Sequence, residues 1–262
     1  MTLLAELADQ LPPARQNADV RVVTLNLWGW FGDWDARRRV LAELLPAVDA
    51  DVLLLQEVCC RPGIDQAEQL RDVSGLPFSA FGGVKGMAGQ SEGVAVLSRF
   101  PLLTVRQEPL PRSEPRRGLL LAQVAAPAGA LWVLSAHTAF APQEVCEDQI
   151  QLLANLPQTP LVIGGDLNAT PELVYPLTSP AGFLDPVATS QPSWPNDPES
   201  FAVGWQAMTG RAVNFSLDPR RLDYVLVRGP QVQRAGVLVP GTRTYGFGSD
   251  HAMVWADLRL SD

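Results

Sequence analysis

Two hydrophobic periodicities alternate along the chain, and the switches between them outline its elements. Val20–Asn26 alternates and is β-branched at its start, which predicts a strand. Over Trp34–Val48 the residues Val40, Leu41, Leu44, Leu45 and Val48 share one helical face, with Arg37–Arg39 on the other. Asp51–Val58 is a near-continuous apolar run, the mark of a strand covered on both faces. Ile64–Val73 returns to helical spacing. Gly93–Ser98, Leu102–Gln107, Gly118–Val124 and Leu131–His137 then follow as strands joined by short turns, as in an antiparallel meander. Pro142 opens a helix through Leu156 whose apolar stripe is Val145, Leu152, Leu153 and Leu156. Leu161–Gly164 is a short buried strand, and Leu222–Val227, Val232–Val239 and Ala252–Leu258 are strands that close the pattern.

Two stretches stand apart. Residues 1–19 form a loosely attached lead-in, a weak amphipathic helix broken by Pro12 and Pro13. Residues 171–221 are rich in Pro, Ser, Asn and Trp and read mainly as loop; so long an irregular stretch in a compact domain implies a use. Elsewhere helices and strands occur in two successive rounds, with antiparallel strands inside each. This predicts an α/β fold in which two packed mixed, largely antiparallel β-sheets are flanked by helices, as a single domain over residues 20–262.

Composition narrows the partners. The hydrophobic share of 47% is enough for a large core, and the net charge is −8, with Lys85 the one lysine. An acidic mean field does not gather nucleic acid, so polyanion binding has to rest on local arginines or on metal ions. That weighs against a nuclease without excluding one, because a bound cation offsets local negative charge. Cys59, Cys60 and Cys146 have neither zinc spacing nor the pattern of a disulfide framework, so reduced thiols are expected. The N-terminus lacks a signal-peptide pattern, and no run of about 18 apolar residues is long enough to span a bilayer. A soluble cytoplasmic protein is expected, a monomer with no protein partner.

The chemistry collects where apolar strands stop. Asn26 ends Thr-Leu-Asn, Glu57 ends Leu-Gln-Glu, and His137 ends Ser-Ala-His; Asp166 and Asn168 follow Gly-Gly, and Asp250-His251 precedes an apolar run. Asp223 stands early in a strand and needs a buried partner, for which a histidine is suited. Strand ends hold side chains rigidly on one rim, where sites are built. Each residue has a plainer use: Asn26 could close a turn, and Gly-Gly could be a tight turn before Asp166. Glu57 is harder to dismiss, since a glutamate ending Val-Leu-Leu-Leu-Gln is costly to bury unless paired or metal-bound. Carboxylates with an amide favour Mg²⁺ or Mn²⁺ over zinc. The two histidines, His137 and His251, beside such a cation suit phosphoryl transfer to water. A serine nucleophile elbow, a dinucleotide fingerprint and a Gly-Lys-Ser/Thr phosphate loop are all absent.

These segments, in this order across about residues 20–260, resemble the endonuclease/exonuclease/phosphatase (deoxyribonuclease-like) superfamily; Ser-Asp-His followed by an apolar strand is the strongest member of the set. The resemblance implies a four-layer α/β sandwich with the site at one rim. It assigns Asn26, Glu57 and Asp250 to the metal site, with Glu57 the principal ligand. Asp166 would position or deprotonate the attacking water, and Asn168 would hold the phosphate. His251 would contact the phosphoryl group or act as base, steered by Asp223. His137 would stabilise the transition state or protonate the leaving group. An arginine before the third meander strand would touch substrate phosphate: Arg117 first, Arg116 next. The superfamily fixes the bond and not the molecule that carries it. A small-molecule or lipid-headgroup ester is favoured by the acidic charge. A DNA or RNA substrate is the alternative, served by Arg112, Arg116, Arg117, Arg220 and Arg221 and by Trp194 and Trp205. A non-catalytic binding module of the same fold is a third.

Overall fold

The strand and helix patterns resolve into four layers in a computed structural model that describes residues 2–87, 90–114, 116–187, 191–242 and 246–260. The first round comprises α1 (Leu3–Glu6), β1 (Val20–Asn26), α2 (Trp34–Val48), β2 (Val52–Arg61), β3 (Ile64–Asp65), α3 (Gln66–Ser74), β4 (Phe78–Met87) and β5 (Gln90–Ser98). The second begins with β6 (Leu102–Leu110), β7 (Arg117–Ala126), β8 (Gly129–His137), α4 (Gln143–Ala154), β9 (Leu161–Asp166) and α5 (Pro171–Thr178). It continues with α6 (Pro198–Thr209), β10 (Asp223–Arg228), β11 (Gln231–Leu238), β12 (Gly241–Thr242), β13 (Gly246–Phe247) and β14 (Met253–Arg259).

One sheet has the order β11-β14-β1-β2-β5-β4, with β3 paired to β2; the other has the order β10-β9-β8-β7-β6. Each contains one parallel pair, β1 with β2 and β8 with β9, and the remaining pairs are antiparallel. A parallel pair needs a crossover, supplied here by α2 and α4. As a result, the C-terminal ends of β1, β2, β8 and β9 lie where the antiparallel strands β7, β10 and β14 begin. That shared rim carries the site.

Burial follows the layers. Val22, Leu54, Val96, Leu120, Val133, Val162 and Val254 pack between the two sheets. Leu41, Leu44, Leu53, Leu55 and Leu70 fill the space between the first sheet and α2 and α3, while Leu134, Ile150, Leu153, Ile163 and Val174 do the same beneath α4 and α5. Gly164 and Gly165 lie inside β9 and form no turn. A Cβ at Gly164 would come 2.4 Å from Leu54 Cδ1 of the facing sheet, and one at Gly165 would come 2.0 Å from the Ala136 carbonyl oxygen. Glycine at both positions lets β9 approach its neighbours closely enough to aim Asp166 at the rim.

Several expectations need correction. The lead-in is packed: Leu3 and Leu7 are each 1% exposed and belong to the core under α2. The four-strand meander is split, because β5 lies in the first sheet and only β6, β7 and β8 run consecutively in the second. β4 was not expected, since its Gly83 and Gly86 interrupt the alternation. The stretch 171–221 holds two helices, α5 and α6, within an otherwise largely irregular segment. The three cysteines are free, Cys59 and Cys146 buried. Among the described residues no helix is long and apolar enough to cross a membrane.

Candidate active site

Asn26 sits on the inter-sheet face of β1 and is fully buried. Its amide nitrogen donates to Asp166 Oδ2 (3.0 Å) and Glu57 Oε1 (3.4 Å), while its oxygen accepts from the Trp28 backbone N–H (2.9 Å). In a regular strand Glu57 would share the outer face of Leu53 and Leu55. A β-bulge between Leu55 and Val58 sets it apart, and Glu57 has a left-handed backbone (φ 51°). Bulges of this kind re-aim side chains beside active sites, and such strain is retained where the surroundings hold it. Gln56, on the regular face, instead bonds Thr24 and Ser135 and ties the two sheets together.

His137 and Asp166 are register partners at the ends of β8 and β9, and Asp223 pairs with Asp166 at the start of β10. Asp166 Oδ2 lies 3.6 Å from His137 Nε2 and 3.8 Å from His251 Nε2, so one carboxylate oxygen sits between both imidazoles. Asn168 (φ 46°) closes an Asx-turn, its N–H donating to Asp166 Oδ1 (2.9 Å), and its side-chain amide donates to the Thr138 carbonyl (3.0 Å). Arg117 Nη1 lies 2.9 Å from His137 Nδ1. Arginine can only donate, so Nδ1 accepts and the ring proton sits on Nε2, facing the cavity.

His251 Nδ1 is bonded to Asp223 Oδ2 at 2.9 Å, and Asp223 is fully buried. The same oxygen receives Ser193 Oγ at 2.6 Å, a partner the sequence did not reveal. Ligand atoms of Asp166, Asp223 and His251 lie within 4.8 Å of one another. Asp223 Oδ2 is shared by two donors, Ser193 and His251, which makes Asp223 an orienting group for His251. Asp250 accepts from Trp194 Nε1 (2.9 Å) and lies 3.9 Å from His251 Nε2.

Burial raises the carboxylates. Asp166 is pushed up to about 6, against the lowering pull of His251, and Asp250 also rises to about 6. Glu57 is raised by burial first and by Glu92 second. For His251 burial works downward, but Asp223 and then Asp250 outweigh it and hold the imidazole well above its usual range. Ionised, the carboxylates Glu57, Glu92, Asp166, Asp223 and Asp250 outnumber the cations around them, Arg37, Arg117, Arg220 and protonated His251.

These groups form one side of a cavity of about 650 Å³. Trp28, Phe31, Trp194, Phe201, Trp205 and Phe215 line the other side. Only Trp194 and Trp205 were singled out from sequence; the i, i+4 spacing of Phe201 and Trp205 was the available signal for the rest. Arg117 is buried at the site, whereas Arg116 is exposed and outside the cavity lining. Arg220 also lines the cavity. Arg112 instead pairs with Asp148 at the surface, and Arg221 is buried against Asp185.

The same architecture occurs in solved structures. An endonuclease/exonuclease/phosphatase from Beutenbergia cavernae is 24% identical, with a TM-score of 0.71 over 93% of this chain and 72% of that one. D. rerio TDP2 complexed with a single-strand DNA product is 16% identical, with a TM-score of 0.70 over 92% and 99% of the two chains. The mannosyl-6-phosphatase of Bacteroides thetaiotaomicron is 18% identical, with a TM-score of 0.66 over 92% and 100%. Likeness at these identities speaks for the fold. No curated protein matches the sequence. The endonuclease/exonuclease/phosphatase family model matches residues 23–251, and the chain belongs to that family.

Proposed function

We propose that the protein is a divalent-metal-dependent phosphoric ester hydrolase that delivers an activated water to a small-molecule or lipid-headgroup phosphoester. The observation that carries this reading is the meeting, on one cavity, of two imidazoles flanking Asp166 Oδ2 at 3.6 and 3.8 Å. The all-oxygen donor set and the excess of carboxylates over cations fit a hard divalent cation, Mg²⁺ or Mn²⁺. Glu57 and Asp250 would hold it, with Asn26 contributing its amide oxygen. Such an ion, when bound, supplies Lewis-acid polarisation of the phosphoryl oxygen and neutralises developing charge.

The chain's own residues perform the rest. Asp166, raised toward neutrality, is matched to orient the attacking water and accept its proton. His251 is held protonated by Asp223, so its Nε2–H donates to the phosphoryl group and its charge stabilises the transition state. His137 presents its Nε2–H from the neighbouring strand and is placed to donate to another phosphoryl oxygen or to the leaving group. Asn168 has a second amide hydrogen available for the phosphate. Arg117 acts by fixing the His137 tautomer and by adding positive charge beside it.

A polynucleotide substrate is supported less well, since two arginines line the cavity among the described residues, and strand binding draws on many phosphate contacts. The test is a panel of plasmid DNA, RNA, bis-p-nitrophenyl phosphate, p-nitrophenyl phosphate and sphingomyelin, each with Mg²⁺ or Mn²⁺. Ester cleavage without polymer cleavage supports the proposal. Cleavage of DNA or RNA alone would replace it with the nuclease reading. No turnover of any member would leave a non-catalytic binding module.

A further inference from the structure

The aromatic wall of the cavity supplies no acid or base to water activation. Six aromatic rings form it, from two separate segments. Trp28 and Phe31 stack at 5.7 Å in the loop after β1, and Phe31 stacks on Trp205 of α6 at 6.5 Å. Phe201 and Trp205, one turn apart on α6, stack at 6.1 Å, and Phe215 meets Trp205 edge-on at 5.5 Å. Centroid spacings of 5.5–6.5 Å leave no slot for a ring inserted between two of these, so a ligand lies across the wall's face.

The wall is held in advance of any ligand. Buried Arg37 bonds the carbonyls of Leu27 and Gly29 and lies 5.6 Å from the centre of the Trp28 ring. Trp28 itself occupies the left-handed region (φ 58°), an uncommon conformation for a bulky side chain. Gly204 brings α6 against it: a Cβ there would come 3.1 Å from the Trp28 ring. On the far side, Asn196 N–H donates to the Asp250 carbonyl and Trp194 Nε1–H to the Asp250 side chain.

The wall is also continuous with the phosphate-handling groups, the Trp194 ring centre lying 6.2 Å from that of His251. An organic group bonded to the phosphate therefore meets aromatic surface within one ring's width. The cavity lining includes seven aromatic residues and a single aliphatic one, Leu222. Flat rigid faces gain most from a flat partner, through offset stacking added to area burial. A flexible alkyl chain gains only the burial.

We propose that the substrate is a small phosphoester with one planar aromatic ring directly next to the phosphate, the ring lying against Trp194 and Trp205. This rests on the phosphoesterase reading, and it is tested by binding so that the two fail separately. Benzylphosphonate, methylphosphonate, octylphosphonate and thymidine 5′-monophosphate are titrated into the full-length protein with Mg²⁺, by calorimetry and by tryptophan emission. Benzylphosphonate is expected to bind at least about tenfold more tightly than methylphosphonate, with tryptophan quenching. Trp205→Ala and Trp205→Leu, each checked by far-UV circular dichroism, should pull that ratio toward one. Leu retains apolar bulk and lacks only the flat face. Tighter binding of thymidine 5′-monophosphate than of benzylphosphonate would overturn the inference, because a sugar separates its ring from the phosphate. Equal affinity for benzyl and methyl, tighter binding of octyl than benzyl, or no binding of any probe overturns the inference. Absence of turnover with the phosphoester panel would overturn the hydrolase reading alone.

Discussion

Asp223→Asn isolates what the buried charge beside His251 contributes. Asp223 Oδ2 accepts from both His251 Nδ1 (2.9 Å) and Ser193 Oγ (2.6 Å), while Oδ1 has no hydrogen-bond partner. An asparagine oxygen can take the place of Oδ2 and keep both bonds, with its amide nitrogen where Oδ1 stood. The substitution therefore preserves orientation and removes charge. A buried hydrogen bond to a charged group contributes about 1.5–3 kcal/mol, so losing the ionic part should shift the His251 titration and cost roughly 10- to 150-fold in kcat/KM. The direction for His251 is downward, because burial then opposes protonation with its strongest counterweight gone. Stability changes with a definite sign. A histidine raised in the folded state contributes stabilisation that is fully present below its unfolded value and is lost as pH rises through its folded value. In chelator-treated protein, the melting temperature of Asp223→Asn should thus fall furthest below wild type at pH 6 and below, and converge with it at high pH. With only two histidines in the chain, both imidazoles can be followed by nitrogen–proton NMR. An Asp223→Asn protein with wild-type kcat/KM and an unshifted His251 titration would refute the reasoning.

Three further outcomes follow from the geometry. Gly165→Ala places a Cβ 2.0 Å from the Ala136 carbonyl oxygen, so β9 must leave its register with β8; urea denaturation should show a loss of several kcal/mol, of the order of 3 or more, or no soluble protein. Arg117→Ala should lower kcat/KM about tenfold or more because His137 loses the donor that fixes its tautomer, while Arg116→Ala, exposed and outside the cavity, should stay within about twofold. Asp166 and Asp250 bind protons near pH 6, and a cation competes with those protons. The rise in melting temperature caused by Mg²⁺ should therefore shrink as pH falls from 7.5 through 6 and be nearly absent at pH 5, as differential scanning calorimetry can check.

Much of this site was legible because its residues obey a simple rule: an apolar strand runs out and a polar side chain follows. Asn26, Glu57, His137 and Asp166 all stand at such points, and parallel pairing of β1 with β2 and β8 with β9 brings these four together; Asp223 opens its strand instead. Pairing was not legible. The run from Gly93 to His137 reads as one meander, and only the structure separates β5 from the strands that follow. The bulge at Glu57 is set by its register with β5, a relation that no local pattern encodes. Ser193 looked like loop serine, and its bond to Asp223 depends on a bridge between Trp194 and Arg220. The aromatic wall was half visible. Proline at positions 171, 176 and 198 disguised two helices as loop, though proline is well tolerated in a first turn, as at the start of α5 and α6.

The central claim is that two imidazoles around Asp166 perform metal-assisted phosphoester hydrolysis. The most direct test is steady-state hydrolysis of bis-p-nitrophenyl phosphate with Mg²⁺ or Mn²⁺ by wild type and His251→Ala, with circular dichroism and melting curves to show that the variant is folded. Wild type is expected to turn over the ester only with metal, and kcat to fall about 10²- to 10⁴-fold in the folded variant. Turnover that needs no metal, or that survives His251→Ala undiminished, would contradict it.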